Sequence, residues 1–488
     1  VSARWCVFGQ ALLFYDSGSC INAIGAAVKR LDPADNFDPL WVEDFKCFVV
    51  RELSGLDAFP PNTEFSFTDW VERGRYNQAR QFQIIEAREK WLDQGKPLNK
   101  LLKLEDFIKH EGYMEAKFPR LINPHGDVTK GEFGPQIHQL EEVVYAWFNR
   151  PGSNAGFVKG LNNWDRVKRL LSRWVNGMYV LVTDHSTFEG RQVTSMIDAC
   201  EVTLVRKMFK NFPDFVSEYE NVLLHKKSVL SFARGAMKFI VRTCRMSGEV
   251  STSLGNGLLN ILSFKYVCAR QHIMIFDMVA EGDDGLALTS GVPDIGMFHK
   301  LNLDVKLQVH LDLSGASFCN LSMTASGDIV VDPIKYLIKL GWITGSKRMS
   351  IKMRDPLLLA KAMSYLVMAP RTPVLHEVCS FIINSLDVVP VWDEIPYLLR
   401  DVDIISLVPL SLSMCPTTES VQLVCNLFNY DPSLLASLAT QLCGFGYHEL
   451  PSTQFLESIW DNYVVDFKQN IIYSDDVSRM PSCVSIAH

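Results

Sequence analysis

The stretch "VAEGDDGLAL" (279–288) sets Asp283 and Asp284 side by side between glycines, with apolar residues on both flanks. Aspartate in a Gly-flanked turn has a purely local use, since its carboxylate bonds nearby backbone amides and tolerates unusual dihedrals. Two adjacent carboxylates inside apolar arms also repel each other, and they take up protons unless a cation sits between them. A divalent ion meets that need: magnesium prefers hard oxygen ligands and usually takes one or two carboxylates, with substrate phosphates and water completing its shell. Asp184 ends the apolar run "MYVLVTD" (178–184) and offers a third carboxylate. Three carboxylates can hold two ions, and two ions roughly 3.5–4 Å apart support in-line phosphoryl transfer. The chemistry these residues point to is nucleotidyl transfer.

The elements that must position them are legible around each. "MYVLVTDHSTFEG", from Met178, reads as a buried strand because its apolar run is short, β-rich and preceded by "NG". "RQVTSMIDACEVTLVRKMF", from Arg191, then carries apolar residues at helical spacing. "TSLGNGLLNILSFKYVCAR" (252–270) reads as a second long helix with Leu254, Leu258 and Leu262 on one side, entered through the polar turn "RMSGEVS". "IMIFDMVAEGDDGLALTS" (273–290) reads as a β-hairpin whose tip carries Asp283 and Asp284. Residues 63–115 read as largely helical with loops. The sum is a mixed α/β chain without internal repeats or low-complexity linkers.

At 488 residues the chain exceeds what one core usually organises, so two or three subdomains sharing a cleft are expected. Hydrophobic residues at 48% and charged residues at 21% exclude a disordered chain. Twelve cysteines run from Cys6 to Cys483 with no CxxC pair and no Cys/His group at zinc spacing, which favours reduced thiols and predicts no structural zinc. The opening residues lack the basic start and long apolar core of a signal peptide, and no stretch reaches the ~18 apolar residues of a membrane span. Any membrane contact is therefore expected through a partner or a missing segment, and a chain beginning at Val1 is expected to be cut from something longer. The net charge of −7 is unevenly spread: residues 372–488 carry three basic and fourteen acidic side chains, so the first 371 residues are net basic. Basic groups at Lys103, Lys109, Lys117, Arg120 and Lys130, at Arg166, Lys168, Arg169 and Arg173, and at Lys347, Arg348, Lys352 and Arg354 offer local phosphate-binding surface or ordinary solvated faces.

"DHSTFE" (184–189), "SGEVSTSLGN" (247–256) and "GDD" (282–284) occur in the order and spacing of motifs A, B and C of viral RNA-dependent RNA polymerases, which the chain resembles. The pattern SG-x-x-x-T-x-x-x-N is met in full by Ser247, Gly248, Thr252 and Asn256. The form D-x-S-x-F before the acidic residue is similar to the tombusvirus and nodavirus-like branch of positive-strand RNA viruses. Upstream, "FIKHEGYMEAKFPRLI" (107–122) resembles the basic fingers motif F, and downstream "LNLDVKLQVHLDLSGASFCN" (301–320) resembles motifs D and E.

The resemblance implies an α/β (mixed α+β) right-hand polymerase with fingers, a palm whose antiparallel sheet is backed by helices, and a helical thumb. It implies fingers and fingertips over 1–176, palm motif A over 177–211, a fingers insertion over 212–241, palm motifs B to E over 242–345, and thumb with the acidic C-terminal region over 346–488. Asp184 and Asp283 become the main ligands of two Mg2+ or Mn2+ ions, with Asp284 assisting. Lys117 and Arg120 would neutralise the incoming triphosphate, as a point charge and a planar fork. Ser247, Gly248 and Thr252 would lie near the template and nascent base pair, and Glu189 with Asn256 would read the ribose 2′ hydroxyl. Lys306 would give a proton to the departing pyrophosphate, though it equally suits a strand surface; Phe318 to Asn320 would grip the primer or simply pack.

Two positions depart from the family pattern: Glu189 stands where motif A usually ends in Asp, and His125, Gly126 and Asp127 stand where a second cation is expected, the next being Lys130. The implied partners are template and product RNA, nucleoside triphosphates and viral or host replication proteins, in host cytoplasm at membrane-associated replication complexes. A reverse transcriptase would place an aromatic residue at the Glu189 and Glu281 positions; a non-catalytic RNA-binding scaffold would be expected to lose carboxylates first, and all three are present.

Replacing Asp283 or Asp184 by Asn is expected to lower nucleotide incorporation about 100-fold or more, while RNA affinity, spread over phosphate contacts, stays near wild type. Single-nucleotide incorporation and filter binding on the same preparations check both. Turnover above about a tenth of wild type in Asp283→Asn contradicts the assignment.

Overall fold

The run ahead of Asp184 forms the strand Tyr179–His185, in which Val180 to Thr183 are buried and Asp184 is exposed. The computed structural model describes residues 2–3, 24–27, 37–74, 76–109, 118–159, 161–225, 227–232, 235–239, 244–340, 342–343, 354–392 and 403–444. Strand Tyr179–His185 lies second in a five-stranded sheet ordered Val305–His310, Tyr179–His185, Asp284–Thr289, Ile275–Glu281, Gly156–Phe157. The first four strands pair antiparallel, and Gly156–Phe157 joins Ile275–Glu281 in parallel. With both faces covered, the central strands are apolar on successive residues instead of alternating, which is why the sequence run looks continuous.

Successive side chains still point to opposite faces. Leu181, Met278, Ala280 and Ala287 enter one core with Leu254, Leu258 and Leu262 of the helix Thr252–Arg270, and with Phe188 and Met196. Val180, Val182, Val279, Leu286 and Leu288 enter a second core, with Val167 and Leu170 of helix Asn163–Arg173, Ile334 and Leu337 of helix Pro333–Leu340, and Leu366 and Val378 from the helices that follow. Each fully buried Leu, Ile or Val contributes roughly 1.5–3 kcal/mol relative to exposure. The sheet is thus clamped from both sides, with its carboxylate-bearing end open to solvent.

Helix Thr252–Arg270 and the hairpin Ile275–Glu281/Asp284–Thr289 form where the sequence predicts them. The helical reading of 63–115 holds for Phe67–Arg73, Gln78–Asp93 and Leu98–Leu101 but not for Lys103–Ile108, which is a strand. It pairs in parallel with Lys227–Phe232 and antiparallel with Leu121–Ile122. Leu104, Asp106 and Ile108 are buried while Lys103, Glu105 and Phe107 are exposed, so a period of two in "KLEDFI" carried the signal. Beyond residue 353 the described elements are all helical, from Arg354–Met368 to Pro432–Gly444. Eight of the described cysteines, from Cys47 to Cys425, are free thiols, and no single described helix is long and apolar enough to cross a membrane.

The basic group on helix Asn163–Arg173 is not a free phosphate-binding surface. Arg169 grips the fully buried Asp277 with two bonds of 2.9 and 2.7 Å, Arg173 adds a third at 3.1 Å, and Arg166 pairs with Glu281 at 2.6 Å. Spacings of three and four residues put these arginines on one helix face against the hairpin strand; Lys168 alone of the group is exposed. Lys347, Arg348 and Lys352 lie outside the described residues.

Asp277→Ala would leave two guanidinium groups facing a buried void, and removing one partner of such a pair destabilises by about 3–5 kcal/mol. A clear fall in the urea unfolding midpoint is expected, with Lys168→Ala unchanged on the same assay; equal midpoints for both variants contradict the bracing role.

Candidate active site

The hairpin turn consists of Gly282 and Asp283 alone, because Glu281 and Asp284 are already a ladder pair. Gly282 takes φ +63° at the first central position, as a two-residue turn compatible with strand twist requires. Asp284 is therefore not at the tip but at the start of the second strand, half-buried, while Asp283 is exposed. On the other side Thr183 pairs with Gly285, so one further step of that register brings Asp184 abreast of Asp284. Asp184 in turn sits directly opposite Lys306. Residues opposite each other share a face, so Glu281, Asp284, Asp184 and Lys306 form a row across four neighbouring strands. Three carboxylates stand in line, with the Arg166 guanidinium bonded to the first and the Lys306 ammonium following the last.

The row is electrostatically loaded. Burial pushes the Asp284 carboxyl up to about 6, and Asp283, Glu281 and Asp184 push it the same way, against a hydrogen bond with Cys319. The Cys319 thiol lies 3.6 Å from Glu281 Oε2 and is itself raised by burial and by Glu281 and Asp284. Cys319 and Asn320 hold φ of +53° and +61°, and Asn320 accepts a bond from Lys335, so this turn packs against the row and is engaged by protein partners. Among the described residues, no group of three or more His, Cys, Asp or Glu side chains is assembled to hold a metal ion. The donor chemistry nevertheless fits a hard divalent cation: Asp184, Asp283 and Asp284 offer only oxygen, and a cation would relieve both the burial and the neighbouring carboxylate charge that raise the Asp284 carboxyl.

Asn260 holds the turn from behind. Its Nδ2 donates to the backbone oxygens of Gly282 and Asp283 at 3.2 and 3.0 Å. Carbonyls only accept, so Asn260 Oδ1 must face His185 Nε2, 3.4 Å away, which then carries the ring proton. Burial lowers His185 to about 4, so the ring is neutral at neutral pH and can adopt that tautomer. One amide thereby ties the residue after Asp184, the turn of Asp283 and the helix Thr252–Arg270. Sequence reasoning passed over Asn260, although its spacing of four from Asn256 puts both on one helix face.

The turn ahead of this helix is built on Gly248, φ +99°, where an added Cβ would lie 3.2 Å from Ile122 Cγ2 and from Pro124 Cα. Asn123 N–H donates to Ser247 O at 2.7 Å, joining this turn to the segment that follows Arg120. Ser247 does not cap the helix, which starts five residues later at Thr252 and has Ser251 at its N-cap. Thr252 Oγ1 instead donates back to Met246 O and Glu249 O at 3.0 and 3.1 Å, closing the turn. Glu189 is half-buried in the short helix Phe188–Arg191, entered through Thr187 at φ +51°, an uncommon conformation for a β-branched residue. Asn256 is buried and accepts a bond from Gln192 at 2.8 Å. Arg120 is exposed; Lys117 lies outside the described residues. Lys130 is lowered chiefly by burial and faces Asp127 and Glu105, so it is already engaged with carboxylates.

Residues 102–291 match the model of the viral RNA-dependent RNA polymerase family. The chain is 26% identical over 206 residues to the RNA-directed RNA polymerase of Groundnut rosette virus (strain MC1), across 40% of this chain and 23% of that one. It is 21% identical over 258 residues to the RNA-directed RNA polymerase of Panicum mosaic virus (strain United States/Kansas 109S), across 51% of this chain and 24% of that one. The chain therefore matches about a quarter of the length of these relatives.

A carboxyl raised from 3.8 to about 6 binds its proton more tightly in the folded than in the unfolded chain, so its stabilising contribution is full at low pH and is lost as pH rises through that window. In chelator, Asp284→Asn is expected to have a higher urea midpoint than wild type near about pH 8, with the gap closing towards about pH 4. A gap independent of pH contradicts the raised Asp284 carboxyl.

Proposed function

We propose that this chain is the catalytic part of an RNA-directed RNA polymerase of a positive-strand RNA virus. It would join the 3′ oxygen of a growing strand to the α-phosphorus of a template-paired nucleoside triphosphate, with pyrophosphate leaving. The observation that carries this reading is the cross-strand row of Glu281, Asp284, Asp184 and Lys306 beside Asp283, within a segment of the viral polymerase family. Both viral relatives are RNA-directed RNA polymerases, which supports it.

In this reading Asp184, Asp283 and Asp284 would hold two magnesium or manganese ions, which when bound favour the ionised attacking hydroxyl and offset charge on the leaving oxygen. Lys306, on the same sheet face as Asp184, supplies a proton to the departing pyrophosphate. Lys117 and Arg120 balance triphosphate charge, and Ser247, Gly248 and Thr252 border the nascent base pair. Glu189 and Asn256 bond the ribose 2′ hydroxyl. The sheet and its covering helices act as palm, the segments before it as fingers, and the helices beyond residue 353 as thumb, whose acidic tail suits a protein partner better than RNA. Sequence choice comes from template pairing, so protein contacts fall mainly on backbone and stacked bases. Other replication proteins would bring the polymerase to membrane-associated complexes in the host cytoplasm.

The purified chain with a short RNA template, four ribonucleotides and magnesium or manganese is expected to give templated product, tested with and without primer. Product that appears equally with Asp283→Asn, or no product under any metal or template, counts against the reading.

A further inference from the structure

Asn256 is the end of a buried chain of bonds. Its Oδ1 accepts from Gln192 Nε2 at 2.8 Å, and Gln192, 1% exposed, accepts on its own Oε1 from Arg245 Nε at 3.4 Å. The backbones are tied as well: Arg245 N–H donates to Gln192 O at 3.1 Å, and Gln192 N–H to Glu189 O at 3.1 Å. Arg245 is fixed in turn by Glu249 at 2.7 Å, by Glu201, and by Ser251 at 3.4 Å. Glu201 belongs to a π turn, Asp198–Val202, and also accepts from the Tyr219 hydroxyl at 3.3 Å. The helix closes over the guanidinium at Gly255, where an added Cβ would lie 2.4 Å from Arg245 Nη2.

This chain has a direction. A guanidinium has donors and no acceptor. Gln192 must therefore turn its oxygen to Arg245 and its amide nitrogen to Asn256, and Asn256 must turn its oxygen to Gln192. What remains to Asn256 for any other partner is its Nδ2 donor pair. We propose that Gln192, held by Arg245, is a positioning residue that fixes the polarity of ribose recognition, so that Asn256 offers donors only and the nucleotide's 2′ oxygen must accept from it. The hydroxyl's own proton is then directed to the one acidic reader, Glu189, whose backbone oxygen Gln192 also holds. This rests on the reading of Asn256 and Glu189 given under Proposed function.

The test is the ratio of kcat/KM for a ribonucleotide and its 2′-deoxy analogue in single-nucleotide incorporation, with thermal melting of each variant. Gln192→Glu keeps the shape but has no donor, so Asn256 must turn its Nδ2 inward and offer an acceptor; Gln192→Leu keeps bulk without fixing either orientation. Both are expected to lower the ribose preference about tenfold or more, with deoxynucleotide efficiency little changed. Gln192→Leu carries the test if the buried carboxylate of Gln192→Glu does not fold. Proportional losses for both sugars, or an unchanged ratio, in the Gln192 variants while Asn256→Ala lowers the ratio would overturn the proposal alone. An unchanged ratio in Asn256→Ala would overturn the reading on which it rests, and the proposal with it.

Discussion

Mutual repulsion of carboxylates on one sheet face is the constraint around which this protein is arranged. Glu281, Asp284 and Asp184 are neighbours through ladder geometry, so their separation is set by strand spacing and cannot relax by chain motion alone. Burial first, and the neighbouring carboxylates second, raise the Asp284 carboxyl at the centre of this row. Everything near the row holds it in spite of its charge: Arg166 neutralises one end, Lys306 stands at the other, and the sheet is clamped between two apolar cores. Apolar burial, not ion pairing, supplies the stabilisation, because a buried ion pair roughly offsets its own desolvation.

Helix Thr252–Arg270 does two jobs with one face. Asn260 reaches the carbonyls of the hairpin turn, and Asn256, one turn earlier, ends the polar chain from Arg245. Around them the helix buries Leu254, Leu258, Leu259, Ile261, Leu262, Phe264 and Val267, so the two asparagines are held in fixed rotamers by their surroundings. A shift of the helix would move both together. The distance between the carboxylate row and Asn256 is in this sense a property of a single rigid element.

Much of this was legible in the sequence. The strand before Asp184, the helix from Thr252 and the hairpin at Gly282 were each readable because their patterns are local: a β-rich run, a period near 3.6, and a glycine where φ must be positive. The strand Lys103–Ile108 was missed although its alternation is equally local, because a short period-two stretch following helices competes poorly with helical context. The arginines of helix Asn163–Arg173 were misjudged for a different reason: a cluster of cations looks the same in sequence whether it faces water or a buried aspartate.

The sequence by itself determined which residue types were available and in what order: three aspartates, an SG turn, a helix carrying asparagines four apart. Only the tertiary structure decided their relations. Strand register, a choice among pairings that differ by one residue, made Lys306 the neighbour of Asp184 and put Asp284 in the sheet, leaving Asp283 at the tip. Burial decided that Arg245 is a fixed donor and not a surface charge, and with it which end of Asn256 faces outward. Order along a chain is covalent, whereas register and the direction of a hydrogen bond are set by contacts between residues tens of positions apart, and those exist only once the sheet and its helices have closed on each other.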